Sequence, residues 1–171
     1  PGTLYVVATP IGNLEDLTFR ALRTLKEVDV IAAEDTRRTA RLLAHYQVSK
    51  PLISVHEHNE HREIPRVLAR LQSGSSIALV SDAGTPGIAD PGARLVRAAR
   101  TAGIPVVPIP GPSAVAAAMS VAGFSSDQFA FMGFPPRSGV DRANWLRQLQ
   151  ADGRVVVFFE APHRIRRTLA D

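Results

Sequence analysis

The first absence in this chain of 171 residues is cysteine. Without thiols the protein can form neither a disulfide framework nor a thiolate metal site, and such a composition suits a reducing compartment. The N-terminus lacks the pattern of a signal peptide. No apolar run approaches the roughly 18 residues that a membrane-spanning helix needs. We therefore expect a cytoplasmic protein with no membrane partner.

Lysine is also scarce, because Lys26 and Lys50 are the only lysines among 20 basic residues. The basic residues outnumber 16 acidic ones, which gives a formal net charge of +4 and a pI of about 10.3. A guanidinium group pairs bidentately with phosphate, so the arginine excess is compatible with RNA binding. A GC-rich genome produces the same excess. The charge alone leaves both interpretations open.

Two common nucleotide-binding motifs are missing as well. The sequence has no GxxxxGK[ST] segment, which excludes a P-loop, and no GxGxxG segment after its first predicted strand. The second absence argues against the usual dinucleotide-binding fold and against the common glycine-rich methyltransferase motif.

The hydrophobic pattern of the first 112 residues predicts a layered α/β fold. Short apolar segments alternate with segments of helical periodicity, which is typical of a parallel sheet covered on both faces. Pro108 favours an edge position, or a strand end, for the last of these strands. We expect a mostly parallel sheet with five strands, at about residues 4–8, 30–33, 52–55, 77–80 and 106–109.

A change of composition near Gly111 and Pro112 predicts a domain boundary. We assign residues 1–112 to an N-terminal α/β domain with an acidic, substrate-binding edge, and residues 113–171 to the start of a second α/β domain. The second segment has two clear strands, near residues 129–132 and 155–159, separated by a helix at about 141–150. Two strands make a thin core, so we expect this second domain to be incomplete.

Ligands of parallel α/β sheets bind beyond the carboxyl ends of the strands. Here the segment after the fourth strand, residues 81–92, contains three glycines and two prolines in twelve residues. Such a segment fixes an unusual backbone that can approach a ligand closely, although a structural Ω-loop is the alternative. Polar segments follow the other strands too, at residues 9–13, 34–38, 56–60 and 110–114.

Three polar clusters have competing interpretations. Residues 34–38 (EDTRR) form either a helix start or a general base beside an anion clamp. The histidine-rich segment, with His56, His58 and His61, offers a metal site, but polar substrate contacts or a capped helix start are the plainer interpretation, and we expect no metal. Residues 163–167 form a second basic cluster, for which a solvated face is the default.

Six segments of this sequence occur in the same order in one known family: VATPIGNL (7–14), AEDTR (33–37), HEHN (56–59), VSDAGTPG with DPG (80–87 and 90–92), PIPGPSA (108–114) and FEAPHR (159–164). The chain therefore resembles the rRNA-modifying branch of the tetrapyrrole methylase superfamily, the class III methyltransferases. The resemblance covers nearly the whole chain.

The resemblance implies S-adenosylmethionine (SAM) as methyl donor, with S-adenosylhomocysteine as product and no metal. It implies that a cytidine 2′-hydroxyl of 16S rRNA, in the small ribosomal subunit, accepts the methyl group. It also implies a homodimer whose subunits have two α/β domains with the cofactor in the cleft between them. Family members continue well beyond Asp171, so we expect contacts from the later part of the second domain to be missing.

The resemblance also implies roles for individual residues. The superfamily's acidic residue after the second strand corresponds to Glu34. We take Glu34 as the first candidate for the general base and Asp35 as the second. Arg37 and Arg38 would hold a flanking phosphate, and His58 and Asn59 would bind the ribose or base. The implied cofactor contacts are Pro10, Ala83, Gly84, Thr85, Ile88, Ser113, Ala114 and Glu160.

Two other functions stay open at this point. The same fold serves small-molecule methylation of tetrapyrroles, as in precorrin-type methyltransferases, although the EDTR and SDAGTP strings resemble the rRNA branch. Outside enzymes, the chain could be a module that binds SAM or a nucleotide and catalyses nothing.

Overall fold

The computed structural model of the protein describes residues 1–125 and 127–171. Packing divides the chain into two compact units, Pro1–Ser113 and Ala114–Asp171. The boundary that the sequence predicts, after Pro112, adjoins this division.

The first unit is a five-stranded sheet in which every pair of neighbouring strands is parallel. The strand order is β3-β2-β4-β1-β5, so β5, with Pro108, lies at an edge. The predicted α/β fold with five strands is confirmed, and so is the edge position of Pro108, which has no amide hydrogen for a ladder bond. The strands are β1 (Leu4–Val7), β2 (Val30–Ala33), β3 (Leu52–Ser54), β4 (Ile77–Val80) and β5 (Val106–Ile109).

Four helices cover the two faces of this sheet. Two separate apolar clusters, one on each face, show which helices pack on which face. Because successive residues of a strand point to opposite faces, Ile31 belongs to one cluster and Ala32 to the other. The cluster of Ile31 also contains residues of α1 and α2, and the cluster of Ala32 contains residues of α3 and α4. The helices are α1 (Phe19–Glu27), α2 (Thr36–His45), α3 (Glu60–Gln72) and α4 (Ala93–Thr101).

Side-chain caps start two of these helices at the carboxyl edge of the sheet. Thr18 Oγ1 accepts a hydrogen bond from the backbone N–H of Ala21 at 3.0 Å, and Asp35 Oδ1 accepts one from Arg37 at 2.9 Å. Such caps satisfy amide groups that have no partner inside the helix. The caps therefore place the beginnings of α1 and α2 on the edge where we expect ligands.

The described part of the second unit contains two parallel strands, β6 and β7, with three helices. The helix predicted at about 141–150 is longer by two residues at its start and by one at its end. Its buried Trp145 donates a hydrogen bond to the Met132 carbonyl at 3.3 Å and meets the Phe158 ring edge-on at 5.1 Å. The elements are α5 (Ala114–Val121), β6 (Phe129–Phe131), α6 (Gly139–Ala151), β7 (Val155–Val157) and α7 (Ile165–Ala170).

No helix in the described ranges is both long and apolar enough to cross a membrane.

Candidate functional site

The glycine-rich loop after β4 is joined to the loops that follow β1 and β5. Thr9 and Gly84 exchange two backbone hydrogen bonds, each 2.9 Å long. The hydroxyl of Thr85 donates to the carbonyl oxygen of Pro112 at 3.3 Å. These bonds bring together three segments predicted to contact the cofactor, namely those of Pro10, of Ala83–Thr85 and of Ser113.

Gly84 is required at this junction by its backbone conformation. Its φ of +78° lies in a region that side chains with a Cβ rarely adopt. A Cβ at this position would make only ordinary contacts, at 3.5 Å from Ile11 Cγ2 and 3.8 Å from the Pro112 carbonyl oxygen. The backbone angle, rather than a lack of space, therefore requires glycine, and the amide and carbonyl groups of Gly84 both serve to hold the loop to Thr9.

Glu34 is a partly buried carboxyl group beside other acidic residues. The backbone N–H of Asp82 donates to Glu34 Oε2 at 3.4 Å, because β2 and β4 are neighbours in the sheet. Burial raises the pKa of Glu34, and the negative charges of Asp82 and Asp90 raise it further. The hydrogen bond from Asp82 and the positive charge of Arg38 oppose this change. A carboxyl group with a raised pKa suits general-base catalysis.

Asp90 has the same kind of environment. Burial raises its pKa, the charge of Asp82 acts in the same direction, and a hydrogen bond with Ser81 opposes both. The loop after β4 therefore contributes two carboxylates beside Glu34. The predictions from sequence relied on the glycines of this loop and missed Asp82 and Asp90 as members of the acidic group. The missing information was the order of the strands, which places the ends of β2 and β4 side by side.

Asp35 caps α2 and binds the side chain of Arg37 with both carboxylate oxygens, at 3.3 Å to Nε and 3.2 Å to Nη2. The hydrogen bonds from Arg37 hold the pKa of Asp35 below its ordinary value. Asp35 is therefore a helix cap with a lowered pKa, whereas the pKa of Glu34 is raised. The side chain of Arg37 remains 86% exposed, so it stays accessible to an anion.

Two cavities of the first unit adjoin the loop after β4. Asp82, at the start of the loop, borders a cavity of about 210 Å³ that also includes Pro10, Arg38 and Arg41. Pro86–Ile88 border a larger cavity of about 1000 Å³ that runs along β5 and α4. Its lining is largely apolar, with Val6, Val96, Ile104 and Val106 among the contributors. Residues of one loop thus border a small charged cavity and a large apolar one.

The histidine-rich segment is held by its own hydrogen bonds. Asn59 Oδ1 accepts from the backbone N–H of His56 at 2.8 Å, and Asn59 Nδ2 donates to the Ser54 carbonyl at 2.9 Å. Glu60 is buried and accepts a hydrogen bond from the Gly92 amide at 3.0 Å. Asn59 therefore shapes the start of α3, which favours the structural alternative for this residue. His58 is exposed.

Glu160 lies in the second unit, and its side chain is 1% exposed. It accepts hydrogen bonds from the Ala161 amide at 2.7 Å and the Thr168 hydroxyl at 2.6 Å, and pairs with Arg164 at 2.6 Å. The Thr168 hydroxyl holds the pKa of Glu160 below its ordinary value, and the other partners act in the same direction. A solvated face is the wrong description for Arg164, whose side chain is 25% exposed and ion-paired. The predicted cofactor contact of Glu160 stays a prediction.

A sequence profile of the tetrapyrrole (corrin/porphyrin) methylases matches residues 3–171. The match spans nearly the whole chain, so the chain belongs to this family of methylases. The family predicted from the motifs is confirmed.

The chain is similar to several curated proteins named ribosomal RNA small subunit methyltransferase I. It is 54% identical to the one from Pseudomonas aeruginosa, over 99% of this chain and 60% of that protein. It is 51% identical to the one from Thermotoga maritima, over 99% of this chain and 76% of that protein. For several of these relatives, the chain spans only about 60% of their length.

The fold also matches a solved structure of uroporphyrin-III-C-methyltransferase from Thermus thermophilus. The TM-score is 0.60 and the sequence identity 26%, over 80% of this chain and 60% of that chain.

Proposed function

We propose that the full-length protein carrying this chain is a SAM-dependent methyltransferase that modifies the 2′-hydroxyl of a cytidine in 16S rRNA. The names of the relatives at 50% identity and above support the small ribosomal subunit as substrate. The observation that carries the chemistry is the position of Glu34, whose carboxyl group with its raised pKa lies beside the loop that borders both cavities.

The residues of the loop after β4 fit a cofactor of this kind. Ala83 and Ile88 of this loop are exposed, and the large cavity beside Ile88 offers apolar surface for an adenosyl group. When bound, SAM supplies a methyl group on a sulfonium, which needs no metal for its transfer. In the first unit, Pro10, Ala83, Gly84, Thr85, Ile88 and Ser113 would hold the cofactor. Ala114 and Glu160 remain the candidates in the second unit.

Glu34 would remove the proton from the ribose hydroxyl. A protonated hydroxyl is a poor nucleophile, and a positioned general base typically contributes about 10²- to 10⁴-fold to such a step. The partial burial of Glu34 and its acidic neighbours make it a stronger base than an exposed glutamate.

Arg37 and Arg38 would bind phosphates of the RNA next to the modified nucleotide. Their side chains are 86% and 65% exposed, and both begin α2 at the carboxyl edge of the sheet. Arg41 borders the same small cavity as Arg38 and would extend this positive surface. The exposed His58 would contact the ribose or base, and Asn59 would act by fixing the turn that presents it.

The test of the base is Glu34→Gln in the full-length protein, assayed by transfer of labelled methyl groups to small subunits that lack the modification. We expect the rate to fall by about 100-fold or more. Glu27→Gln is the control, because Glu27 is an exposed glutamate at the end of α1, away from the carboxyl edge of the sheet, and it should leave the rate unchanged. A Glu34→Gln rate near that of the wild type contradicts the assignment of the base. If the wild-type protein transfers no methyl group to these subunits, the proposed function is wrong.

The test of the phosphate contacts is the dependence of RNA affinity on salt. Arg37→Ala and Arg38→Ala each remove one guanidinium from the RNA-binding surface, and each should lower the slope of log K against log [salt] by about one. Arg70→Ala, in the last turn of α3, is the control and should keep the slope of the wild type. Equal slopes in all three variants and the wild type contradict the arginine assignment.

We also propose that the protein is a homodimer that acts in the cytoplasm, where its ribosomal substrate is assembled. Sedimentation equilibrium of the full-length protein tests the homodimer, since a monomer at micromolar concentration contradicts it.

Two assays test the alternative functions. The same methyl-transfer assay with a tetrapyrrole acceptor tests the alternative substrate class. This chain assayed beside the full-length protein tests the alternative of a non-catalytic binding module.

A further inference from the structure

Asp82 contacts three residues of the candidate site, all within the segment 34–38. Its Oδ1 accepts a hydrogen bond from the backbone N–H of Asp35 at 3.1 Å. Its Oδ2 lies 3.5 Å from Nη1 of Arg38. Its own backbone N–H donates to Glu34 Oε2 at 3.4 Å. One residue at the start of the glycine-rich loop thus holds the end of β2 and the beginning of α2.

We propose that Asp82 is a positioning residue, which fixes Glu34 and Arg38 relative to each other and to the loop that begins at Ala83. This inference rests on the proposed function, because it gives Glu34 and Arg38 the roles assigned above. Nothing in the sequence marks Asp82 for this role, since it is separated from Glu34 by 48 positions and meets it only through the pairing of β2 with β4.

The side chain of Asp82 is suited to this task because it does two things that a neutral side chain cannot combine. It accepts a hydrogen bond from Asp35, and it carries the negative charge that attracts Arg38. An asparagine keeps the first function and loses the second. Its backbone N–H would still reach Glu34, so Asp82→Asn removes the charge and leaves the rest of the arrangement in place.

The charge of Asp82 also acts on Glu34. The charged groups that face Glu34 are Asp82 and Asp90, from the loop after β4, and Arg38, from α2. Removing the negative charge of Asp82 lowers the pKa of Glu34, because one of the two acidic neighbours that oppose its ionisation is gone. The activity of an enzyme that needs ionised Glu34 then begins to fall at a lower pH than in the wild type.

The chain offers a matched control at the opposite end of the same strand pair. Asp29 precedes β2, and its Oδ2 accepts a hydrogen bond of 2.7 Å from the backbone N–H of Ser76, which precedes β4. Asp29→Asn therefore changes the same kind of carboxylate, bonded between the same two strands, far from the candidate site. A purely structural role for Asp82 predicts the same behaviour for both variants.

The experiment compares Asp82→Asn, Asp29→Asn and the wild type in the full-length protein, by methyl transfer to unmodified small subunits over a range of pH. For Asp82→Asn we expect kcat to fall by about 10- to 100-fold, with the KM for SAM within about twofold of the wild type. We also expect the acid limb of its pH profile to move to lower pH. Asp29→Asn should keep the profile of the wild type. Asp82→Glu, which retains the charge, should keep the position of the acid limb.

A second measurement separates this inference from the proposed function. The carboxyl group of Glu34 can be titrated by NMR in the full-length protein, and its pKa should be lower in Asp82→Asn than in the wild type or in Asp29→Asn. An unchanged pKa of Glu34 overturns the inference, as does a kcat for Asp82→Asn within about twofold of the wild type in an active enzyme. An inactive wild type together with a lowered pKa of Glu34 overturns the proposed function and leaves the coupling of Asp82 to Glu34 standing.

Discussion

Glu34 and Glu160 each follow a parallel strand, and both were predicted to act at the site, yet their environments differ. Glu160 has a hydroxyl, an amide and a guanidinium as partners, and these hold its pKa below the ordinary value. Glu34 has one weak hydrogen bond from an amide, and burial with two acidic neighbours raises its pKa. Burial is the largest influence on the pKa of Glu34, whereas at Glu160 the hydrogen-bond and ion-pair partners outweigh the effect of burial.

The two units of the chain also differ in the environments of their arginines. In the second unit, Arg142 is buried, binds the Thr168 hydroxyl at 3.0 Å and pairs with Asp171 at 2.6 Å. In the first unit, the exposed Arg37 and Arg38 each have a carboxylate partner at the start of α2. Buried, bonded arginines stabilise a small core, whereas exposed ones remain available to an anion.

The largest stability effect is expected at Glu160. Glu160→Gln removes the charge that pairs with Arg164 and leaves that guanidinium with less compensation, so the second unit should melt several degrees lower. Trp145 is the only tryptophan of the chain and lies in this unit, so its fluorescence reports the transition selectively. Glu57→Gln, an exposed change in the first unit, is the control. If the melting temperature followed by Trp145 fluorescence is the same in Glu160→Gln and the wild type, the charge of Glu160 contributes nothing to the stability of the second unit.

A smaller effect of opposite sign is expected at Glu34. An acid whose pKa is raised by folding contributes stability below its ordinary pKa, and that contribution is lost as the pH rises through the raised value. At neutral pH the charged Glu34 therefore costs stability, and Glu34→Gln should melt at a higher temperature than the wild type. The difference should disappear in acid. Thermal melts followed by far-UV circular dichroism at a series of pH values measure this difference. A melting temperature of Glu34→Gln below that of the wild type at neutral pH contradicts the destabilising charge assigned to Glu34.

The smallest effect is expected at Asp152, a partly buried residue directly after α6. Hydrogen bonds from Arg154 lower its pKa from 3.8 to about 2. Its contribution to stability is therefore present above pH 3.8 and is lost as the pH falls through about 2. The melting temperature of Asp152→Asn should be slightly below that of the wild type at neutral pH. Near pH 2 the two melting temperatures should be equal. Salt should reduce the difference at neutral pH, because the Arg154 side chain of this pair is half-exposed.

Two strands could be predicted from the sequence, whereas the environment of one arginine could not. The near-continuous apolar run of residues 77–80 predicts a buried central strand, and β4 is buried along its whole length. The proline at position 108 predicts an edge, and β5 is one. The short basic cluster at residues 163–167 was misjudged at Arg164, because a polar helix start does not reveal that a glutamate four positions earlier turns back to pair with it.

The sequence by itself determined the family, the parallel α/β fold and the loop whose glycine at position 84 requires a positive φ, because motifs, hydrophobic periodicity and backbone restrictions are local properties. Only the tertiary structure decided which acidic residues act together. The pairing of β2 with β4 brings Asp82 to Glu34 across 48 positions, and the folding of FEAPHR and α7 surrounds Glu160 with donors. The pKa of a carboxyl group depends on such neighbours in space, and the order of residues along the chain does not specify them.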